Sequence, residues 1–291
     1  MSARAIAARA RAGPPVLVVK VGGGTAIDMD AVCTDLATRT GQEPIVVLHG
    51  ASKELDRVSI AMGHPPVRLQ SASGIESRFT DDATMEIFSM VYAGRANPKL
   101  VERLQRLGVN AVGLCGIDGG LLRGPEKGTL RARLPDGREQ VIRGDRSGTV
   151  AAVNGNLLHL LLDGGYVPVL SPPALSDHGR AMNVDGDRAA AQVAMALGAE
   201  TLVILSDVPG LLLDPANPDS IVSDVRPHEI GRAMEVARGR MRVKVMAARE
   251  ALKGGVSRVV VGDGRVARPV ELALRGGGTV FRRRGVARAG R

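Results

Sequence analysis

The sequence predicts an α/β protein: a mostly parallel sheet covered by helices on both faces. Three observations carry that prediction. Short β-branched apolar runs recur along the chain, longer helical patterns separate them, and turns rich in small residues follow the runs. Buried runs alternating with helices read as βαβ units, whose strands pair in parallel and give up both faces to helices. With 291 residues, 44% hydrophobic and 24% charged, the chain is long enough for one large core or two lobes. The same composition excludes a disordered, collagen-like or coiled-coil chain.

The run at 16–21 opens the sheet and ends in Lys20-Val21-Gly22-Gly23-Gly24. Three glycines after a strand let the backbone approach a phosphate, and a following helix, predicted over 28–40, adds free N–H groups and its positive end. A plain tight turn explains the same residues. The Rossmann fingerprint fails, because Ile27 stands where its last glycine belongs, and no Gly-Lys dipeptide exists for a Walker A loop. The run at 45–48 leads into His49-Gly50-Ala51-Ser52 and a helix over 52–62. Two such turns at one sheet edge converge backbone amides on a polyanion. His49 reads as a packing residue rather than a catalyst.

Residues 63–80, with Pro65-Pro66 and Gly74, read as a loop or hairpin over a site. Helices over 82–93 and 98–107 precede a strand at 111–114. Within 117–147, Asp136-Gly137 sits between two short extended segments, the strongest local hairpin signal. A helix over 149–163 and a strand at 166–170 restore the alternation. Asn183-Val184-Asp185-Gly186-Asp187 then precedes a helix over 186–197, with Asp185 or Asp187 as N-cap, site group or both. EF-hand spacing is absent. The strand at 202–205 runs into Ser206-Asp207-Val208-Pro209-Gly210, a broad turn suited to a base or ribose. A helix over 241–253 opens at Met241-Arg242-Val243-Lys244, and a strand at 258–261 closes the alternation. Arginine supplies 33 of the 39 positive charges, so a lysine at a site marks a place for a compact ammonium. Lys20 and Lys244 fit that mark.

Charge and cysteine narrow the function. The formal net charge is +9, but residues 1–11 carry three arginines and residues 282–291 five, with no acid in either. What lies between is nearly neutral. Its one sizeable basic stretch is 123–146, with seven basic and four acidic residues. The chain has no Trp, two Tyr and three Phe, which argues against stacking platforms for single-stranded nucleic acid. Cys33 and Cys115 form no C-x-x-C pair, so neither zinc nor a disulfide framework is indicated. No apolar stretch reaches the roughly 20 residues a bilayer span needs. A soluble protein of the cytoplasm is expected, with basic tails at 1–13 and 282–291 and no membrane or nucleic-acid partner.

KVGGG (20–24), HGAS (49–52), SRFTD (77–81), NVDGD (183–187), SDVPG (206–210) and Lys244, in this order, resemble the amino acid kinase family over about nine-tenths of the chain. Within it the acetylglutamate kinase branch is the nearest in pattern. MVYAG (90–94), GLCGIDGG (113–120) and VIRGDRSGTV (141–150) are similar to its subgroup that phosphorylates 2-aminoadipate on an acidic amino-group carrier protein in lysine biosynthesis. The resemblance implies a three-layer sandwich in two lobes, 14–182 for the amino-acid substrate and 183–281 for ATP, with the hairpin as an insertion. It implies Lys20 and Lys244 as the cations of phosphoryl transfer, held by Asp187. Gly22, Gly23 and Gly50 would offer amides, Arg78 and Asn183 would hold the substrate, and Ser206, Asp207 and Gly210 would border the nucleotide. Mg²⁺ would arrive mainly on ATP, with no metal site of the protein's own, and the chain would form a homodimer. The family's second loop has successive glycines where Ala51 and Ser52 stand here, which puts the amide of Ala51 in question. The alternatives are an acetylglutamate or carrier-bound glutamate kinase of arginine biosynthesis and, more remotely, a nucleic-acid-binding protein on the same fold. The basic stretch at 123–146 separates the first two in principle, since an acidic carrier needs a positive docking patch and a free amino acid does not.

Overall fold

A computed structural model describes residues 14–71, 76–133 and 138–283. The tail expected at 1–13, residues 284–291 of the tail expected at 282–291, and the turn at Asp136-Gly137 lie outside the described residues. The chain begins β1 (Leu17–Val21), α1 (Met29–Arg39), β2 (Ile45–His49), α2 (Ser52–Ala61), β3 (Arg68–Ser71), β4 (Glu76–Arg78), α3 (Asp82–Ser89). A π-helical turn (Met90–Ala96) joins α3 to α4 (Asn97–Arg106), and β5 (Ala111–Cys115), β6 (Leu122–Gly124), β7 (Glu126–Arg133), β8 (Glu139–Gly148) and β9 (Ala152–Val153) follow. Next come α5 (Gly155–Asp163), β10 (Val167–Ser171), β11 (Pro173–Ser176), β12 (Ala181–Val184), α6 (Gly186–Ala196) and β13 (Thr201–Ser206). The last elements are β14 (Asp224–Val225), α7 (Ile230–Val236), α8 (Gly239–Lys253), β15 (Arg258–Asp263), α9 (Pro269–Leu274) and β16 (Thr279–Arg282).

Six predicted apolar runs became β1, β2, β5, β10, β13 and β15, neighbours in one sheet ordered β14-β16-β15-β13-β1-β2-β10-β5. Every pairing in it is parallel except β15 with β16. Because strand side chains alternate between faces, β1 feeds two cores. Val18 joins Val46, Leu48, Leu202 and Ile204 under α6 and α8, while Leu17, Val19 and Val21 join Val47, Val203 and Leu205 under α1, α4 and α9. In α6, Ala189, Ala190, Ala191 and Ala194 are buried. Their small side chains let that helix lie close to the sheet.

A second sheet, ordered β4-β3-β7-β8-β12-β11-β6-β9, is mixed and lies outside what the apolar runs predicted. It contains the antiparallel pairs β3 with β4 and β7 with β8. The helix expected from 149 starts only at Gly155, because β9 pairs with β6 first and the Asn154 side chain then caps α5 by accepting from the Leu157 amide. Arg282 and Arg283, assigned to the basic tail, belong to the body. Arg282 ends β16 in an ion pair with Asp224, and Arg283 donates to the Gly255 carbonyl. No helix among the described residues is long and apolar enough to cross a membrane.

Candidate active site

β13, β1 and β2 lie side by side and run in parallel, so the turns after them meet at one edge. That edge, beyond the strands' carboxyl ends, is where ligands sit in such sheets. Lys20 stands opposite Leu48 and Ile204, one residue short of the end of β1. Its ammonium lies 2.6 Å from one oxygen of Asp187, and the Lys244 ammonium lies 2.9 Å from the other. All three are buried: Lys20 is 3% exposed, Asp187 1% and Lys244 5%.

The two acids of the 183–187 motif divide the work. Asp185 caps α6 by accepting from the amides of Asp187 and Arg188, which frees Asp187 in the first turn to face the lysines. Burial alone would push the Asp187 carboxyl up, but two ammonium groups outweigh it and hold it well below the usual carboxylate range. Burial and the neighbouring Lys244 lower Lys20, against the pull of Asp187. The trio is a fixed pair of cations on one buried anion.

The glycine turns pack backbone to backbone. A methyl group on Gly23 would stand 2.6 Å from the amide nitrogens of both Ala51 and Ser52, and one on Gly50 would stand 2.7 Å from the Gly23 nitrogen. Their amides are not all free, and two expectations need correcting. Gly22 donates to the Leu205 carbonyl at 3.0 Å and Gly50 to the Val21 carbonyl at 2.8 Å, so the strands consume the N–H groups expected to meet a ligand. The amides of Gly23, Gly24 and Ser52 have no acceptor among the described residues. The Ala51 amide is directed at the buried Tyr92 hydroxyl. Ala51 itself adopts φ −147°, a negative value that a side chain tolerates.

A cavity of about 400 Å³ opens over these turns. It is lined by Lys20, Lys244, Gly22, Gly23, Ser206, Asp207 and Gly210, and its apolar wall includes Leu211, Leu212, Pro215 and Val236. Arg78, Asn183, Gly50 and Asp187 do not line this cavity, Asp187 lying behind the two lysines that do. Arg78, on β4, is paired through one guanidinium nitrogen with Asp56 of α2, while the other is buried without a partner. A buried donor with no acceptor is costly unless a ligand supplies one. The Asn183 amide donates to the Thr80 hydroxyl at 3.0 Å, and that hydroxyl contacts the Arg78 carbonyl, so the two residues share one scaffold.

Sequence reasoning missed the support around this scaffold. The π-helical turn carries Tyr92, whose ring stacks on Phe88 at 4.1 Å and on His49 at 6.1 Å. Its hydroxyl feels the charges of Arg240, Arg78 and Asp185. Beneath it the Asn97 amide donates to the Val169 carbonyl at 2.8 Å and reaches the His49 ring nitrogen at 3.3 Å. Burial drives His49 down to about 4, so its ring is neutral. No sequence spacing announces Phe88, Tyr92 or Asn97 as partners; MVYAG marked the turn, and of the group only His49 was singled out, as a packing residue. Asp56 and Arg240 carried no signal either.

The amino acid kinase family matches over residues 15–263. The chain belongs to the amino acid kinase family. It is 53% identical over 266 residues to a LysW-aminoadipate kinase of Deinococcus radiodurans, covering 91% of each chain. To a LysW-aminoadipate kinase of Thermus thermophilus it is 47% identical over 271 residues, covering 92% of this chain and 100% of that one. Among solved structures, N-acetylglutamate synthase from Neisseria gonorrhoeae, complexed with coenzyme A and N-acetyl-glutamate, superposes with a TM-score of 0.73 at 25% identity. That alignment covers 94% of this chain and 60% of the longer synthase, so the chain spans less than two thirds of that neighbour.

Proposed function

We propose that this family member transfers the γ-phosphoryl group of ATP to the side-chain carboxylate of 2-aminoadipate borne on an acidic amino-group carrier protein. The observation that carries the reading is the pair of Lys20 and Lys244 lining the cavity, both held by the buried Asp187, beside the open amides of Gly23, Gly24 and Ser52. The names of the two relatives supply the acceptor, aminoadipate on LysW.

The chemistry suits that machinery. A carboxylate acceptor is already ionised at neutral pH, so no general base is required. One of its oxygens forms a bond to the γ-phosphorus, the bond from that phosphorus to the β–γ bridging oxygen breaks, and the electron pair leaves with ADP. No proton moves. What the protein must supply is alignment of two anions and cancellation of their charge. Lys20 and Lys244 do this at the transferring group, and Asp187 keeps both charged and aimed. Gly23 and Ser52 offer amides to the phosphoryl oxygens, in place of Gly22 and Gly50. The unpartnered nitrogen of Arg78 takes the α-carboxylate side of the acceptor, with Asn183 positioning the same end.

Ser206, Asp207 and Gly210 border the nucleoside, and the apolar wall near Leu211 takes the base. On this reading residues 14–182 hold the acceptor and 183–281 the nucleotide. Among the described residues no three His, Cys, Asp or Glu side chains form a metal-ligand cluster. Mg²⁺ would come with the nucleotide and neutralise phosphate charge there.

One observation favours a carrier-borne acceptor over free N-acetylglutamate. Lys127, Arg131 and Arg143 on β7 and β8 are exposed and have no carboxylate partner among the described residues. Such a strip suits an acidic protein surface. Trapping the acyl phosphate with hydroxylamine, with ATP and Mg²⁺, tests the reading on carrier-bound aminoadipate, carrier-bound glutamate and N-acetylglutamate. The highest kcat/KM is expected for carrier-bound aminoadipate; a preference for N-acetylglutamate sinks the acceptor assignment.

A further inference from the structure

The trio's charge is small for its task. Two ammonium groups share one carboxylate, so Lys20, Asp187 and Lys244 together carry one net positive charge. ATP and a carboxylate together bring roughly five negative charges, of which Mg²⁺ on the nucleotide would offset two and the trio one. The neighbouring Asp185 adds to the deficit rather than relieving it.

Arg240 stands four residues, one helical turn, before Lys244 in α8, so the two side chains leave the same face of the helix. It lines the cavity together with Lys20 and Lys244. Its charge reaches the Lys20 ammonium on the phosphoryl side and the Tyr92 hydroxyl on the acceptor side, where Arg78 acts as well. Arg240 thus overlooks the point where acceptor and nucleotide meet. Arg238, two residues earlier, is tied back by a hydrogen bond to the Glu235 carbonyl. Arg240 is exposed, and no carboxylate among the described residues pairs with it. An arginine left unpaired at the mouth of a cavity full of cations is held against their repulsion; two anions arriving together would reverse the sign of that field.

We infer that Arg240 is a further cation of the phosphoryl-transfer site, closing over the acceptor carboxylate and the γ-phosphoryl group as the bond between them forms. This rests on the kinase reading above. A guanidinium suits the role because its planar fork grips oxygens on both partners at once, which a single ammonium cannot do.

Arg240→Met, which keeps the stem and removes the charge, and Arg240→Lys test the inference by steady-state hydroxamate kinetics on the full chain. Arg240→Met is expected to lower kcat about 100-fold, the scale of one lost transition-state donor, while KM for ATP stays within about threefold. Its thermal midpoint should match the wild type, Arg240→Lys should retain part of the rate, and added guanidinium chloride should restore about tenfold to Arg240→Met. Wild-type turnover matched by Arg240→Met overturns the role of Arg240 alone. A rate loss that guanidinium does not relieve also overturns it, because a positional defect lacks that remedy. Failure of the wild type to phosphorylate any carboxylate acceptor overturns the kinase reading, and the role of Arg240 with it.

Discussion

Asp187 holds two ammonium groups that are buried almost as deeply as it is, and that arrangement makes it the most sensitive single position. Replacing it by Asn leaves two buried cations facing a neutral amide. Breaking a buried charge pair costs about 3–5 kcal/mol, so Asp187→Asn should unfold at distinctly lower urea, and its hydroxamate kcat should fall about 100-fold or more. His49 gives a second test. Its folded pKa of about 4 lies below the ordinary 6.5, so the unfolded chain takes up the proton first as pH falls. The stabilisation present above about pH 6.5 is therefore lost progressively down to about pH 4. Urea titrations at pH 7 and pH 5 should show the wild type losing about 2 kcal/mol from this group, a loss missing in His49→Gln. The Asp187 carboxyl, depressed rather than raised, keeps its contribution throughout that window and loses it only in stronger acid.

At the level of elements, the site depends on two turns in backbone contact. Gly23→Ala puts a methyl group 2.6 Å from two amide nitrogens, with no flexible side chain to yield. It should cost about 1–3 kcal/mol in thermal unfolding and abolish most turnover, whereas Gly94→Ala, with nothing within 4 Å, should do neither. How far such elements were legible follows from how local their causes are. The strands of the parallel sheet announced themselves because a strand buried on both faces is apolar along its length, as in residues 45–48 of β2. β6, β9 and β12, at 2–4 residues each, carry too little pattern, and the pairing of β8 with β12 joins residues far apart in sequence. The lysines and Asp187 were legible as polar residues at strand and helix ends. Which amides stay free was not, since it depends on Leu205 and Val21 carbonyls brought in by the sheet, and Tyr92 acts only through a π-helical turn that no spacing signals.

For the whole molecule, the formal charge of +9 divides into parts with different meanings. Arg282 is neutralised within β16, whereas the strip of Lys127, Arg131 and Arg143 faces solvent. If that strip meets an acidic carrier, changing all three to Ser should raise KM for the carrier-borne substrate and weaken its salt dependence, while kcat and KM for ATP hold. An unchanged KM would remove the strip from the docking surface. Deeper than docking lies the claim that the acceptor's own carboxylate attacks the γ-phosphorus over Lys20, Asp187 and Lys244. Supplying carrier-bound aminoadipate labelled with ¹⁸O in its side-chain carboxylate, then cleaving the product with hydroxylamine, tests this most directly. Hydroxylamine attacks carbon, so the released phosphate should carry one ¹⁸O, inherited from the carboxylate oxygen that bonded to phosphorus. Phosphate released without label, while ATP is consumed, would contradict it.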